Sequence, residues 1–285
     1  MQAHAVTIPE PLPPGLADAL DEAVGAWRIV GVEVQGWDRP EVHVTGKLGA
    51  GVERLELTTQ GTRTAVRVVL PKGRYWNADN EADLVVRMPG TAGLAASLVS
   101  ADVTTRGVLG EQRLQTVSGE IRAELGREAR LRSVSGDLNA TRHSAVRGAG
   151  RVEAQTVSGN VELTGIDGTL EVSTVSGDSR LRFGQLVSGR FETVSGDFAV
   201  TATLAQDARL EAESVSGDLA LRFPGAPPAA EYEIESFSGD VDNCFGPRPT
   251  HEQYGPGVRL VFREGAGSAR VRADTKSGDV TLCNR

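Results

Sequence analysis

One short motif recurs through the chain and constrains its fold more than any other feature. Ser-Gly followed by Asp, Glu or Asn occurs eight times in the 285 residues, at intervals of about 20 residues when the last and longest interval is taken to hold one unmarked repeat. Self-similarity at such a period is typical of repeat architectures. The motif serines are Ser118, Ser135, Ser158, Ser176, Ser195, Ser216, Ser238 and Ser277. The chain is therefore expected to fold as a stack of similar units.

The residues around each motif alternate in character. The residue four before the Ser is always apolar, as at Leu114 and Phe191, and the residue five before it is always charged. Alternation resumes after the motif, as from Asp218 to Phe223, so each unit reads as strand, turn, strand. Such a unit cannot bury its apolar face alone, but stacking at about 4.8 Å solves this. The sequence predicts an all-β, single-stranded parallel β-helix, a β-solenoid, right-handed as parallel crossovers usually are.

The motif and its flanks resemble a known family. The repeated Thr-Val-Ser-Gly-Asp run is preceded by Val34 to Gly46 (VQGWDRPEVHVTG) and by Leu84 to Pro89 (LVVRMP). With these flanks the chain is similar to the bacterial putative-adhesin domains of unknown function, over roughly residues 28 to 285. The resemblance implies a parallel β-helix-like fold and a link to the bacterial cell envelope. It implies no reaction and no catalytic residues.

The repeat also predicts how the chain is organised. Residues 1–27 are expected to be a leader with a short helix, because Ala3-His4-Ala5 has the form of a secretory cleavage site and Leu16 to Val24 is rich in Leu and Ala. Residues 28–95 are expected to be irregular strands that cap the solenoid, since a solenoid end must be covered. The repeats follow over 96–285, with a Pro-rich external loop at 246–257.

The last two motif positions form columns in a stacked fold. The glycines are expected to supply positive φ at a tight corner, and the residue after each Gly to accept backbone N–H bonds in an Asx-type turn. The less favoured interpretation is a calcium ladder, because stacked carboxylates repel one another. The glycines are Gly119, Gly136, Gly159, Gly177, Gly196, Gly217, Gly239 and Gly278, and the calcium candidates are Asp137, Asp178, Asp197, Asp218, Asp240 and Asp279.

The residue before each motif Ser is Val in six copies, Phe237 in one and Lys276 in the last. Strict alternation points this column outward, where it would form an aliphatic stripe for a partner or for self-association. A bend at the preceding Ser or Thr would instead turn it into the core. The inward orientation is the favoured expectation.

The two cysteines, Cys244 and Cys283, each lie six residues after a motif Ser and 39 residues apart. If the intervening segment is one coil with an excursion, their Cα atoms lie about 5 Å apart and a disulfide fits. If a complete coil intervenes, the separation approaches 10 Å and no bond forms. Both alternatives stand at this stage, and a bond would indicate an oxidising compartment.

Composition and motifs narrow the function classes. A net charge of −8 disfavours binding to nucleic acid, and no transmembrane segment is expected. The four histidines have no metal-ligand spacing, and no phosphate loop or nucleophile elbow occurs. The chain is therefore expected not to be an enzyme and to use no cofactor.

The expected function is a non-catalytic structural or interaction scaffold of the cell envelope, in the periplasm or outside the cell. Its partner would be an envelope protein, a polysaccharide, or another copy joined through the solenoid ends. The first alternative is a carbohydrate-active parallel β-helix enzyme, a polysaccharide lyase or hydrolase, which would need converging carboxylates. The second is a sensor domain in an envelope-stress pathway.

Overall fold

The fold was analysed in a computed structural model, which describes residues 31–49, 52–69, 82–251 and 257–284. The predicted leader and helix at 1–27 lie outside these residues. Within them every regular element is a β-strand, and no helix is long and apolar enough to cross a membrane. The Cα positions divide the chain into two compact units, residues 1–136 and 137–285.

The described residues of the first unit form ten strands, of which β3 and β4 are a separate antiparallel hairpin. The first strand pairs in parallel with both β5 and β7, so it lies between two strands that follow it in sequence. The β6, β8 and β10 strands form one parallel row, and β7 and β9 belong to a second. The strands are β1 (Gly31–Trp37), β2 (His43–Leu48), β3 (Arg54–Gln60), β4 (Arg63–Val69), β5 (Ala82–Pro89), β6 (Leu94–Ser100), β7 (Asp102–Arg106), β8 (Gln112–Ser118), β9 (Ile121–Leu125) and β10 (Glu128–Ser135).

Twelve strands are formed by the part of the second unit that the structure describes, and its coils contribute to two parallel rows. The Ser-Gly-Asp motif forms the corner between the two rows. The strands are β11 (Leu138–Arg142), β12 (Gly150–Ser158), β13 (Val161–Ser176), β14 (Ser179–Ser195), β15 (Phe198–Ser216), β16 (Leu219–Arg222), β17 (Ala230–Ser238), β18 (Val241–Asn243), β19 (Thr250–His251), β20 (Val258–Arg263), β21 (Ala269–Ser277) and β22 (Val280–Cys283). This arrangement confirms the predicted all-β solenoid-like fold with mostly parallel strands.

The coils of the second unit do not stack in sequence order. The last coil, β21 with β22, lies between the coil of β15 and β16 and the coil of β17 and β18, and it pairs in parallel with both. The outer side of β17 pairs with the antiparallel strand β20, which in turn pairs with β19. The expectation that successive repeats are always neighbours is therefore wrong for the last two motif copies.

The core consists of the side chains that alternate inward on both rows. The residues four before the motif Ser are buried in every copy, from Leu114 to Ala273. Gly189 makes room for the ring of Phe191 in the same strand, because a Cβ added at Gly189 would meet that ring. Small and aliphatic residues fill most of the core, with Phe198, Phe223 and Tyr232 as further buried aromatic side chains.

Candidate functional site: the motif strip

The motif forms a laddered surface on the second unit, which we call the motif strip. Pairing of the motif serines fixes the order of its six coils, which have Ser158, Ser176, Ser195, Ser216, Ser277 and Ser238 in succession. The strip comprises residues 157–160, 175–178, 194–197, 215–218, 276–279 and 237–240. Each coil thus presents the same four positions, about 4.8 Å from the equivalent positions of the preceding coil.

The first column of the strip is apolar and faces outward. Its side chains are Val157, Val175, Val194, Val215 and Phe237, and they are 46% to 59% exposed. Lys276 occupies the same column between Val215 and Phe237 and is also exposed. The inward orientation favoured from the sequence is therefore wrong. The strands stay regular up to the motif Ser, so no bend reverses the alternation.

The Ser or Thr immediately before this column faces the core. Thr156, Thr174, Thr193, Ser214, Ser236 and Thr275 are all at most 4% exposed. The Ser236 hydroxyl donates to the carbonyl oxygen of Gly278 at 2.8 Å. The other five hydroxyls have no hydrogen-bond partner among the residues that the structure describes. These buried polar atoms are a source of instability, because each loses hydration without replacement.

The motif serines themselves are exposed in all six coils. The glycines that follow allow close backbone stacking. Gly196 has a φ of 129°, and a Cβ added there would lie closer than 3.0 Å to the carbonyl oxygen of Gly177 in the preceding coil. Six of the eight motif glycines have positive φ; Gly136 and Gly239 are the two that do not have it. The glycine therefore serves both the corner conformation and the approach of neighbouring coils.

The last column consists of acidic residues with one Asn, and its side chains connect the coils. In the second unit the Oδ1 atom of each residue accepts the backbone N–H of the equivalent residue in the next coil. The donor–acceptor distances are 2.7 Å for Asn160 to Asp137, 3.0 Å for Asp178 to Asn160, 3.2 Å for Asp197 to Asp178, 2.9 Å for Asp218 to Asp197, 2.8 Å for Asp279 to Asp218 and 2.8 Å for Asp240 to Asp279. An Asx turn would need the donor within the same turn. Here the donor lies in the neighbouring coil, so these bonds are not those of an Asx turn.

The calcium interpretation receives no support from this geometry. Within the described ranges, no group of three or more His, Cys, Asp or Glu side chains is arranged to hold a metal ion. The Oδ1 atoms instead accept backbone N–H groups, which offset part of the repulsion between carboxylates. The ladder is therefore held by hydrogen bonds from the protein itself.

Cys244 and Cys283 form a disulfide, and their Cα atoms are 4.9 Å apart. They lie at the ends of adjacent strands, because β18 pairs directly with β22. The segment between them includes β19, β20 and β21. The bond therefore ties the inserted C-terminal coil to the coil that caps it.

The glutamates beside the strip form ion pairs with arginines and do not converge on one point. Arg190 contacts Glu192 at 2.6 Å and Glu211 at 3.6 Å, and its hydrogen bond to Glu192 raises the pKa of the guanidinium. Arg259 likewise contacts Glu233 and Glu235, at 2.7 and 2.8 Å. These exposed pairs balance charge on a solvated face and contribute little to stability.

The described histidines engage other groups. His143 accepts the backbone N–H of Ala145 through Nδ1 at 3.1 Å, and His43 stacks on Trp37. His251 lies in β19, which pairs with β20, and His4 lies outside the described residues. The strip therefore offers apolar contact, hydroxyl groups and negative charge in parallel columns.

Sequence reasoning overlooked a cavity of about 680 Å³ in the first unit, beside Trp37. It is lined by the turn at 37–42 and by the β3–β4 hairpin. The signal in the sequence was the run Trp37-Asp38-Arg39-Pro40, which places a large aromatic residue in a polar turn. The hairpin that completes the cavity has no such signal.

The comparison with protein-family models agrees with this fold. The family model described as Toastrack DUF4097 matches residues 41–283. No curated protein matches the sequence significantly. A solved structure of a putative cell adhesion protein from Clostridium sporogenes aligns over 100% of this chain and 93% of that chain, at 9% identity. Its TM-score of 0.24 is too low to carry an argument.

Proposed function

The chain belongs to the Toastrack DUF4097 family, and from this premise we propose that it is a non-catalytic interaction scaffold of the bacterial cell envelope. The observation that carries the proposal is the outward aliphatic column of the motif strip. Val157, Val175, Val194 and Val215 stand in consecutive coils, each close to half exposed. A contiguous exposed apolar surface of this kind marks an interaction site.

The form of the strip favours a protein partner with a flat apolar face. The aliphatic column provides area that releases water on burial, and the adjacent Ser column provides hydrogen-bonding groups at a fixed spacing. The acidic column along one side would select against partners with negative charge. The disulfide between Cys244 and Cys283 supports placement in an oxidising compartment such as the periplasm or the cell exterior.

Co-sedimentation with cell envelopes prepared from the source bacterium tests the proposal. The wild-type protein should pellet with envelopes, and prior protease treatment of the envelopes should abolish this binding, whereas enzymatic digestion of their glycans should not. The variant V175K/V194K should lose binding. It should still fold, because Lys276 already occupies the same column in the native chain.

The matched control is Q185K/Q206K, which adds the same charge at two exposed positions outside the strip. Equal binding by both double variants would remove the strip as the interface. Loss of binding after glycan digestion alone would indicate a polysaccharide partner instead. Concentration-dependent sedimentation velocity of the isolated protein checks whether the partner is a second copy.

The enzyme alternative is tested with polysaccharides prepared from the same cell envelopes. Turnover is measured as new reducing ends or unsaturated products. If the protein shows turnover and a single carboxylate substitution abolishes that turnover, the scaffold proposal is overturned. The ion-paired glutamates described above make this outcome unexpected.

A further inference from the structure

The cavity beside Trp37 carries an inference that is independent of the motif strip. Its volume of about 680 Å³ falls within the range of roughly 300–1,000 Å³ usual for small-molecule sites. All of its lining residues belong to the first unit and to the described part of the chain. We propose that this cavity binds a neutral sugar residue of a glycan.

The indole ring of Trp37 is held in a fixed position. Its Nε1 donates to the carbonyl oxygen of Glu41 at 2.9 Å. The Arg39 guanidinium lies 5.3 Å from the ring centroid, and the His43 ring lies nearly parallel to the indole at 6.3 Å. Because these contacts restrain the ring before any ligand arrives, little conformational entropy would be lost on binding.

The cavity wall combines apolar surface with hydroxyl groups. Leu57, on the hairpin, is 52% exposed, and Pro40 and Pro89 add further apolar area. Thr59 and Thr62 bring hydroxyl groups to the same wall. A sugar ring has an apolar face of C–H groups and a rim of hydroxyls, so it can cover Leu57 and Trp37 while its rim reaches the threonines. The Thr59 hydroxyl contacts the Thr64 hydroxyl at 3.4 Å and keeps a lone pair for a ligand, so a purely apolar ligand would use less of this wall.

Charge at the cavity selects against anionic ligands. Asp38 and Glu41 contribute two carboxylates, and Arg39 contributes one cation that already contacts Glu41 at 3.7 Å and Trp37. The three groups together are negative, so an anionic ligand would be repelled. A neutral polyhydroxylated ring can donate hydrogen bonds to the carboxylates without this penalty.

Tryptophan fluorescence gives a direct test. In the variant W27F/W76F, Trp37 is the remaining tryptophan. We expect its emission to change saturably with at least one of three uncharged probes, which are cellotetraose, maltotetraose and the tetramer of N-acetylglucosamine. Titration up to about 10 mM exceeds the millimolar Kd of a weak site. Isothermal titration calorimetry on the wild-type chain provides the same measurement without the substitutions.

A matched pair of leucine variants locates the site. Leu57→Ala removes apolar wall and should weaken binding about tenfold, whereas Leu48→Ala, at an exposed position of β2 outside the cavity, should leave it unchanged. No response to any of the three probes in either measurement would overturn the proposal. Equal affinity of the two leucine variants would overturn it as well. Neither result bears on the motif strip, which belongs to the second unit.

Discussion

The Oδ1 atom of Asp197 accepts a hydrogen bond of 2.9 Å from the backbone N–H of Asp218, the equivalent residue of the next coil. The residue after Asp197, Phe198, donates its own N–H to the carbonyl oxygen of Asp218 at 2.9 Å. Each corner is therefore joined to its neighbour by a side-chain and a backbone bond in opposite directions. The acidic column stabilises the corners through its acceptor oxygens, while its charges repel one another.

We expect the acceptor to matter more than the charge at this position. Asp197→Asn keeps Oδ1 and should leave the free energy of unfolding unchanged or slightly raised, because repulsion from Asp178 and Asp218 falls. Asp197→Ala removes the acceptor and should lower the free energy of unfolding by about 1 kcal/mol. Urea denaturation measures both. Asn160 is a natural precedent, since its Oδ1 accepts the N–H of Asp178 at 3.0 Å.

The reverse substitution is the control. Asn160→Asp should lower stability at low salt and recover when salt screens the added charge. If Asp197→Asn proved as destabilising as Asp197→Ala, charge and not the acceptor would hold the corner.

Two serines of the buried column should respond in opposite ways to the same substitution. Ser214 and Ser236 are both buried, but the Ser214 hydroxyl has no partner among the described residues, whereas Ser236 donates to Gly278 at 2.8 Å. Ser214→Ala should be neutral or stabilising, and Ser236→Ala should lower the free energy of unfolding by about 1 kcal/mol. Both changes delete the same atom, so the difference between their urea midpoints isolates the hydrogen bond. Equal effects would contradict the assignment of partners.

The sequence predicted the parts of this structure that depend on local alternation. The strand–turn–strand unit, the buried column at Leu114 to Ala273 and the corner at each Gly all follow from a period of two around the motif. The stacking order does not, because the motif has the same local pattern in every coil. Nothing near Ser277 indicates that it pairs with both Ser216 and Ser238.

The orientation of Val175 and its equivalents was predicted wrongly for a different reason. Alternation predicted that these side chains point outward, but a bend at the preceding Ser or Thr was expected to turn them into the core. Apolar atoms contribute more than half of the surface of folded proteins, so an exposed Val does not contradict an alternating strand. The cavity beside Trp37 was not predictable, since nothing in the residue pattern of the β3–β4 hairpin indicates that it lies beside the turn at 37–42.

The close stacking of corners predicts a large effect at Gly196. Gly196→Ala places a methyl group closer than 3.0 Å to the carbonyl oxygen of Gly177 and at a φ of 129°. We expect a loss of about 3 kcal/mol or more, because both the clash and the backbone strain must be relieved. Gly225→Ala is the control, since Gly225 has a φ of 96° but nothing within 4 Å of an added Cβ. Its loss should be nearer 1 kcal/mol by thermal or urea denaturation. Similar losses at both positions would show that strain alone acts.

The disulfide predicts a redox-dependent stability. Cys244 and Cys283 close a loop of 39 residues, for which the chain-entropy model gives a stabilisation of about 4 kcal/mol. Reduction, or the variant C244S/C283S, should lower the urea midpoint and expose β21 and β22 to limited proteolysis before the coils of β13 to β15. The double variant should show no further change on adding reductant. An unchanged midpoint after verified reduction would show that strand pairing alone holds the inserted coil.

Tyr232 predicts a loss of stability at alkaline pH. Its side chain is 1% exposed, stacks on Phe262 at 4.5 Å and donates its hydroxyl to the carbonyl oxygen of Pro228 at 2.9 Å. Burial, with a smaller contribution from Glu264, raises the pKa of this phenol well above its ordinary value near 10. The unfolded chain therefore releases this proton first, so the stabilisation is complete below pH 10 and decreases above it, by up to about 1.4 kcal/mol per pH unit. Tyr232→Phe should lower stability at pH 7 by about 1 kcal/mol through the lost hydrogen bond but flatten the decline above pH 10. Parallel alkaline slopes for the two proteins, measured by urea denaturation between pH 8 and about 11, would rule out Tyr232 as the titrating group.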